Sequence, residues 1–195
     1  MKPAKQYLRH IPNLLSGWRL LSFPFLLWLI FSGSRNGFVL LLSVNLVTDI
    51  LDGLIARTFK LQTEFGAKLD SLADITTYIA AFTGMVHFEW KFIVSKDWEF
   101  LSMLLLWISA YLVCVTRFRR TPHLHLYSTK TAGYFQGIFM FTYFNWGNAD
   151  WYFYSMWLVS MLAFAEELIV LVKIPSLRSN AKGIFWMLKE KGRIE

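Results

Sequence analysis

Residues 14–32 read LLSGWRLLSFPFLLWLIFS, and the fold follows from this stretch. Leu, Phe, Trp and Ile dominate it, and its one charge is Arg19. A helix needs about 20 predominantly apolar residues to cross the hydrocarbon of a bilayer, and this run is of that length and character. It makes a poor signal peptide: it has no small-residue cleavage site, and it opens on Pro12 and Asn13 rather than on a clean apolar core. Working outward, five more stretches qualify once a few polar residues are allowed inside them: 37–56, 66–88, 98–116, 131–146 and 151–172. Hydrocarbon offers no water to backbone N–H and C=O groups, so these must be helices. The alternating pattern of a membrane barrel is absent. The expectation is an all-α membrane protein of one domain, residues 1–195, with six transmembrane helices.

Composition agrees. Hydrophobic residues make up 55% of the 195 and charged residues only 17%, against about a quarter in an ordinary soluble domain. That hydrophobicity excludes a disordered chain. The single cysteine, Cys114, excludes a disulfide scaffold. The net charge of +7 comes from basic residues that flank apolar runs, so a nucleic-acid partner is not expected. With six spans, 17 of the 20 Lys and Arg residues fall on the side of the two termini, leaving Arg35, Lys91 and Lys96 on the other. The positive-inside rule then puts both termini in the cytoplasm, and the expected location is the cytoplasmic (inner) membrane of a bacterium. Trp90, Trp98, Trp146 and Trp151 bracket the opposite ends, where aromatic belts sit. Residues 4–10 are short and basic and read as an N-terminal amphipathic helix lying on the lipid surface. The tail from residue 176 mixes Trp186 and Leu188 with Lys182 and Lys189 and reads as a second one.

Acidic residues inside a membrane mark function by default. Asp49, Asp52, Gly53 and Ala56 recur at i, i+3, i+4 and i+7, which is one helical face. Gly66, Asp70 and Asp74 recur at i, i+4 and i+8, again on one face. If the chain turns back near residues 58–65, the two acidic faces meet near the cytoplasmic surface. Converging carboxylates repel, so something positive must sit between them. Oxygen-only ligands favour Mg²⁺, Mn²⁺ or Ca²⁺ over zinc, and two metals sharing carboxylates form a clamp for a phosphate under in-line displacement. The small residues Gly53, Ala56 and Gly66 leave a groove for a ligand, and Arg57 carries a planar fork suited to a phosphate oxygen.

Read in order, Asp49-x2-Asp52-Gly53-x2-Ala56-Arg57-x8-Gly66-x3-Asp70-x3-Asp74 resembles the signature of the class I CDP-alcohol phosphotransferases. Eight fixed positions give a chance match on the order of 10⁻¹⁰ per start site at average residue usage. The Ile11-Pro12-Asn13-Leu14 opening of the first span resembles the same family. The resemblance implies an enzyme that transfers a substituted phosphate from a CDP-linked donor, such as CDP-diacylglycerol, to an alcohol, releasing CMP. It implies two ions, Mg²⁺ or Mn²⁺, on Asp49, Asp52 and Asp70, with Asp74 bordering the metals as general base. Asp52, Gly53, Ala56, Arg57 and Gly66 would line the site for the cytidine diphosphate. It also implies a homodimer, in contact with membrane lipids, whose site opens at the cytoplasmic interface.

The acceptor is read from a second cluster, between the fourth and fifth spans. Arg117 and Lys130 are the candidate acceptor-binding residues, and the 128–133 segment resembles the Lys-Thr start of span five in phosphatidylglycerophosphate synthases, which implies glycerol 3-phosphate. The Arg-Glu pair common after span four in those enzymes is absent; the chain has Arg117-Phe118-Arg119-Arg120. Inositol phosphate, inositol, serine and choline are the alternatives. His123 and His125 lack a third ligand and read as an interfacial pair. Glu166 and Glu167 read as internal ion-pair partners, with Arg19 as the available cation. A divalent-cation transporter is the rival of a different class, although it leaves Arg57 and the glycine spacing unexplained.

Overall fold

The computed structural model describes residues 11–59, 63–119, 126–147 and 149–174. The surface helices expected at 4–10 and beyond 176 lie outside these residues. Among the described residues the chain is helical, with no strand: α1 (Ile11–Phe31), α2 (Arg35–Thr58), α3 (Glu64–Phe88), α4 (Trp90–Ser95), α5 (Asp97–Phe118), α6 (Tyr127–Trp146) and α7 (Asp150–Lys173). All six stretches expected to be helical are so, and the short α4 is an addition. Four helices, α1, α2 up to Ile55, α5 and α7, are long and apolar enough to cross a membrane. α3 and α6 do not reach that hydropathy, because α3 carries Lys68, Asp70 and Asp74 and α6 carries Lys130, Gln136 and several threonines and glycines.

The helices group into two units, Met1–Val94 and Ser95–Glu195. In the first, α1 packs on both α2 and α3. The buried positions of α1 are Pro12, Ser16, Arg19, Ser22, Leu26 and Ile30, a single stripe at helical spacing. The other face exposes Leu14, Leu21, Phe25 and Trp28, as suits contact with lipid. The α1–α2 turn needs Gly33, whose φ of +73° is the left-handed conformation. α2 buries Phe38, Leu42, Asn45 and Asp52 on one face. α3 starts at Thr63, whose Oγ1 accepts from the Gly66 N–H at 3.0 Å and so satisfies one of the free donors of the first turn. α3 offers mainly small residues to the interior, Ala73, Ala80, Ala81 and Gly84, which lets helix backbones approach closely. The fully buried Phe38 ring occupies the space where a Gly84 side chain would stand. Arg35 donates to Glu89 at 3.0 Å, tying the start of α2 to the end of α3.

In the second unit α7 packs on α5 and α6. Its buried stripe is Phe153, Met156, Ser160, Ala163, Glu167, Val170 and Leu171. Two polar bonds fix the register: the Trp157 indole donates to Ser102 Oγ, and Gln136 donates to Ser160 Oγ, both at 3.0 Å. At one end Lys96 reaches both the Tyr154 hydroxyl at 3.0 Å and Asp150 at 3.1 Å. Near the other end Ala110, Cys114, Leu126, Val170, Leu171 and Ile174 form a compact apolar cluster.

Candidate metal centre

The site lies within the first unit and is assembled from three helices. α2 contributes Asp49 and Asp52, three residues apart, and α3 contributes Asp70 and Asp74, four apart; α1 contributes Arg19. Arg19 Nη1 donates to Asp49 Oδ1 at 2.5 Å and to Asp74 Oδ1 at 2.7 Å. Nη2 donates to Asp52 Oδ2 at 2.8 Å and to Asp70 Oδ1 at 2.5 Å. A guanidinium carries two hydrogens on each of these nitrogens, so one Arg19 side chain answers all four carboxylates. Four carboxylates against one guanidinium leave the cluster with an excess of negative charge.

Burial divides the group. The Arg19 side chain is fully covered and Asp52 is 4% exposed, whereas Asp49, Asp70 and Asp74 are 41%, 42% and 43% exposed. Arg19 and Asp52 therefore form a floor, and the other three aspartates form an open rim. Ser16 Oγ, 3.2 Å from Asp52 Oδ2, also braces the floor. Behind it Ser22 Oγ donates to the Arg19 carbonyl at 2.8 Å and accepts from Asn45 Nδ2 at 2.6 Å. Arg19 Nε and Asn45 Oδ1 are buried atoms without a hydrogen-bond partner among the described residues.

The rim fits a hard divalent cation. Asp49, Asp70 and Asp74 can each present one oxygen, all within 4.8 Å of one another, and an all-carboxylate donor set suits Mg²⁺, Mn²⁺ or Ca²⁺. Asp52, which the resemblance ranks with the metal ligands, sits on the floor outside this trio, with Oδ2 taken by Arg19 and Ser16.

The remaining sequence candidates fall as follows. Gly53 is half-buried on α2. The backbones of Ala56 and Arg57 continue α2, and their side chains lie outside the described residues. A side chain on Gly66 would meet Asn13 Oδ1 at 2.5 Å and Thr63 Oγ1 at 2.9 Å, so the missing Cβ leaves room for Asn13 of α1 against the first turn of α3. Arg117 and Lys130 belong to the second unit. Arg117 Nη1 donates to the carbonyls of Leu171, at 3.0 Å, and Val172, closing the end of α7. Lys130 is exposed in the first turn of α6. His123, His125 and Arg120 lie outside the described residues. Arg19, read in the sequence as a partner for Glu166 or Glu167, commits its Nη hydrogens to the four aspartates. Glu167 is buried on the α7 stripe instead. A lone arginine in an apolar span demands an acidic partner, and α2 and α3 carry four aspartates; spacing along each helix does not reveal that α1 turns Arg19 toward them.

A sequence model of the CDP-alcohol phosphatidyltransferase family matches residues 9–172, and the chain belongs to that family. Among curated relatives, a probable phosphatidylglycerophosphate synthase of Mycobacterium tuberculosis is 34% identical over 82 residues, covering 39% of each chain. A CMP-forming cardiolipin synthase of Streptomyces coelicolor is 38% identical over 85 residues, covering 40% of each. The matched part is thus about two fifths of the length of these relatives. No solved structure matches.

Proposed function

We propose that the protein is a phospholipid-synthesising transferase that moves a phosphatidyl group from CDP-diacylglycerol to glycerol 3-phosphate, yielding phosphatidylglycerophosphate and CMP. The observation that carries this reading is the convergence of Asp49, Asp70 and Asp74 over an Arg19–Asp52 floor in a chain of this family. In the same reading α3 and α6 complete six spans, both termini are cytoplasmic, the site opens at the cytoplasmic interface of the inner membrane, and the enzyme works as a homodimer. The basic residues on the side of the termini support that orientation.

Asp49, Asp70 and Asp74, with Asp52 beneath, are the residues that hold the ions. When bound, the ions neutralise the diphosphate and the departing CMP. Asp74 works as the general base through the carboxylate oxygen that Arg19 does not take. It accepts the hydroxyl proton of the acceptor as that oxygen bonds to the phosphorus carrying the diacylglycerol; the bond from phosphorus to the CMP oxygen breaks, and CMP leaves with the electron pair. Gly53, Ala56 and Gly66 line the approach of the cytidine diphosphate, Arg57 holds a phosphate oxygen, and Arg117 and Lys130 bind the acceptor.

The relative named cardiolipin synthase favours a second reading, in which the same chemistry makes cardiolipin. One assay separates them: purified protein in nanodiscs with labelled CDP-diacylglycerol, Mg²⁺ or Mn²⁺, and a panel of acceptors including glycerol 3-phosphate, phosphatidylglycerol, inositol phosphate, inositol, serine and choline. CMP release that depends on glycerol 3-phosphate supports the first reading, and release that depends on phosphatidylglycerol supports the second. No CMP with any acceptor, together with divalent-ion flux in sealed vesicles, would favour the transporter.

A further inference from the structure

We propose that Arg19 is the positioning residue of the cation site: its buried fork grips one oxygen from each of four aspartates and holds the three half-exposed carboxylates within reach of a shared divalent ion. The proposal rests on the reading of these aspartates as metal ligands. Like charges packed this closely push one another apart, and Asp49, Asp70 and Asp74 come from two different helices. Their convergence needs a group that contacts both helices at once, and Arg19 does so with each Nη, bridging one α2 carboxylate and one α3 carboxylate per nitrogen. The side from which it works matters. Arg19 is fully covered while the rim is more than two-fifths exposed, so the guanidinium occupies the inner side and leaves the outer side open to an ion. The Arg19 main chain is held from behind, its carbonyl accepting from Ser22 Oγ, which in turn accepts from Asn45.

This role differs from simple neutralisation. A lysine supplies the same charge from a single point with three donors, and cannot reproduce a planar four-way grip. The test is Mn²⁺ binding, followed by electron paramagnetic resonance on the purified full-length protein in nanodiscs, for wild type, R19K and R19Q. R19Q removes a positive charge beside a cation site, which by charge alone should tighten Mn²⁺ binding, so weaker binding in R19Q reports the loss of the grip. Size-exclusion profiles establish that each variant is folded.

The proposal expects at least tenfold weaker Mn²⁺ binding in both variants. It also expects a matching rise in the Mg²⁺ concentration for half-maximal CMP release, with most of kcat regained at saturating Mg²⁺. Wild-type affinity in R19K would reduce Arg19 to a counter-charge and overturn the proposal. Tighter binding in either variant would make it a competitor of the metal, with the same consequence. If R19K does not fold, R19Q decides alone. Absence of Mn²⁺ binding in wild type overturns the proposal as well, while CMP release by the same preparation reports separately on the transferase reading.

Discussion

Arg19 Nη2 stands 2.5 Å from Asp70 Oδ1 and 2.8 Å from Asp52 Oδ2. A single nitrogen therefore joins α1, α2 and α3, and residues 51 positions apart in the chain become neighbours. Removing one partner of a buried, hydrogen-bonded charge group costs about 3–5 kcal/mol, so the three helices depend on this contact as well as on their apolar packing.

Asp74→Asn keeps the shape of the side chain and removes the base. Turnover should fall by about 10²–10⁴, the usual contribution of a positioned proton acceptor, while KM for CDP-diacylglycerol stays within a few-fold. Steady-state CMP release with varied donor measures both, and wild-type turnover would exclude Asp74 as the base.

Asp49→Asn and Asp70→Asn each take a charge from the rim. The Mg²⁺ concentration for half-maximal activity should rise about tenfold or more, on the scale seen when a ligand environment is damaged. EDTA should abolish CMP release in the wild type, and Mg²⁺ or Mn²⁺ should restore it. Activity that survives EDTA would separate the aspartates from metal binding.

Gly84→Ala introduces a methyl group into space held by the buried Phe38 ring. Overpacking of this kind costs about 1–3 kcal/mol. The thermal midpoint in detergent, followed by tryptophan fluorescence, should drop. Phe38→Leu in the same chain should recover part of the loss, because neighbouring substitutions are coupled. An unchanged midpoint in Gly84→Ala would mean that α2 and α3 are less closely packed here.

Lys130→Ala tests the acceptor. With glycerol 3-phosphate as substrate, KM for the acceptor should rise about tenfold, the loss of one charge-assisted contact at about 1.5–3 kcal/mol, and KM for CDP-diacylglycerol should hold. An acceptor KM that does not move would place the phosphate-binding cation elsewhere.

Helix positions were readable because membrane helices are marked by long apolar runs. The first stretch, 14–32, corresponds to α1 at Ile11–Phe31, and 151–172 to α7 at Asp150–Lys173. Hydropathy fails for α3 because the face that carries Asp70 and Asp74 lowers its average. The aspartates announced themselves through spacing, a local property that survives in one dimension. The partnership of Arg19 did not, since it depends on which face α1 turns toward α2 and α3 across more than 30 residues. The close fits of Gly66 to Asn13 and Gly84 to Phe38 were hidden for the same reason: a glycine in a sequence does not say what approaches it. Arg117 Nη1 bonds main-chain carbonyls of α7, a contact that leaves no trace in residue spacing.

The grip on Arg19 also bears on how the chain is made. α1 emerges from the ribosome before α2 and α3, so its arginine enters the membrane ahead of every partner it will have. An unpartnered arginine inside a span costs up to about 3 kcal/mol, which works against release of α1 alone into lipid. α1 is therefore expected to leave the insertion machinery together with the helices that carry its partners, and a nascent chain truncated before Asp49 should linger beside the translocon rather than disperse into the bilayer.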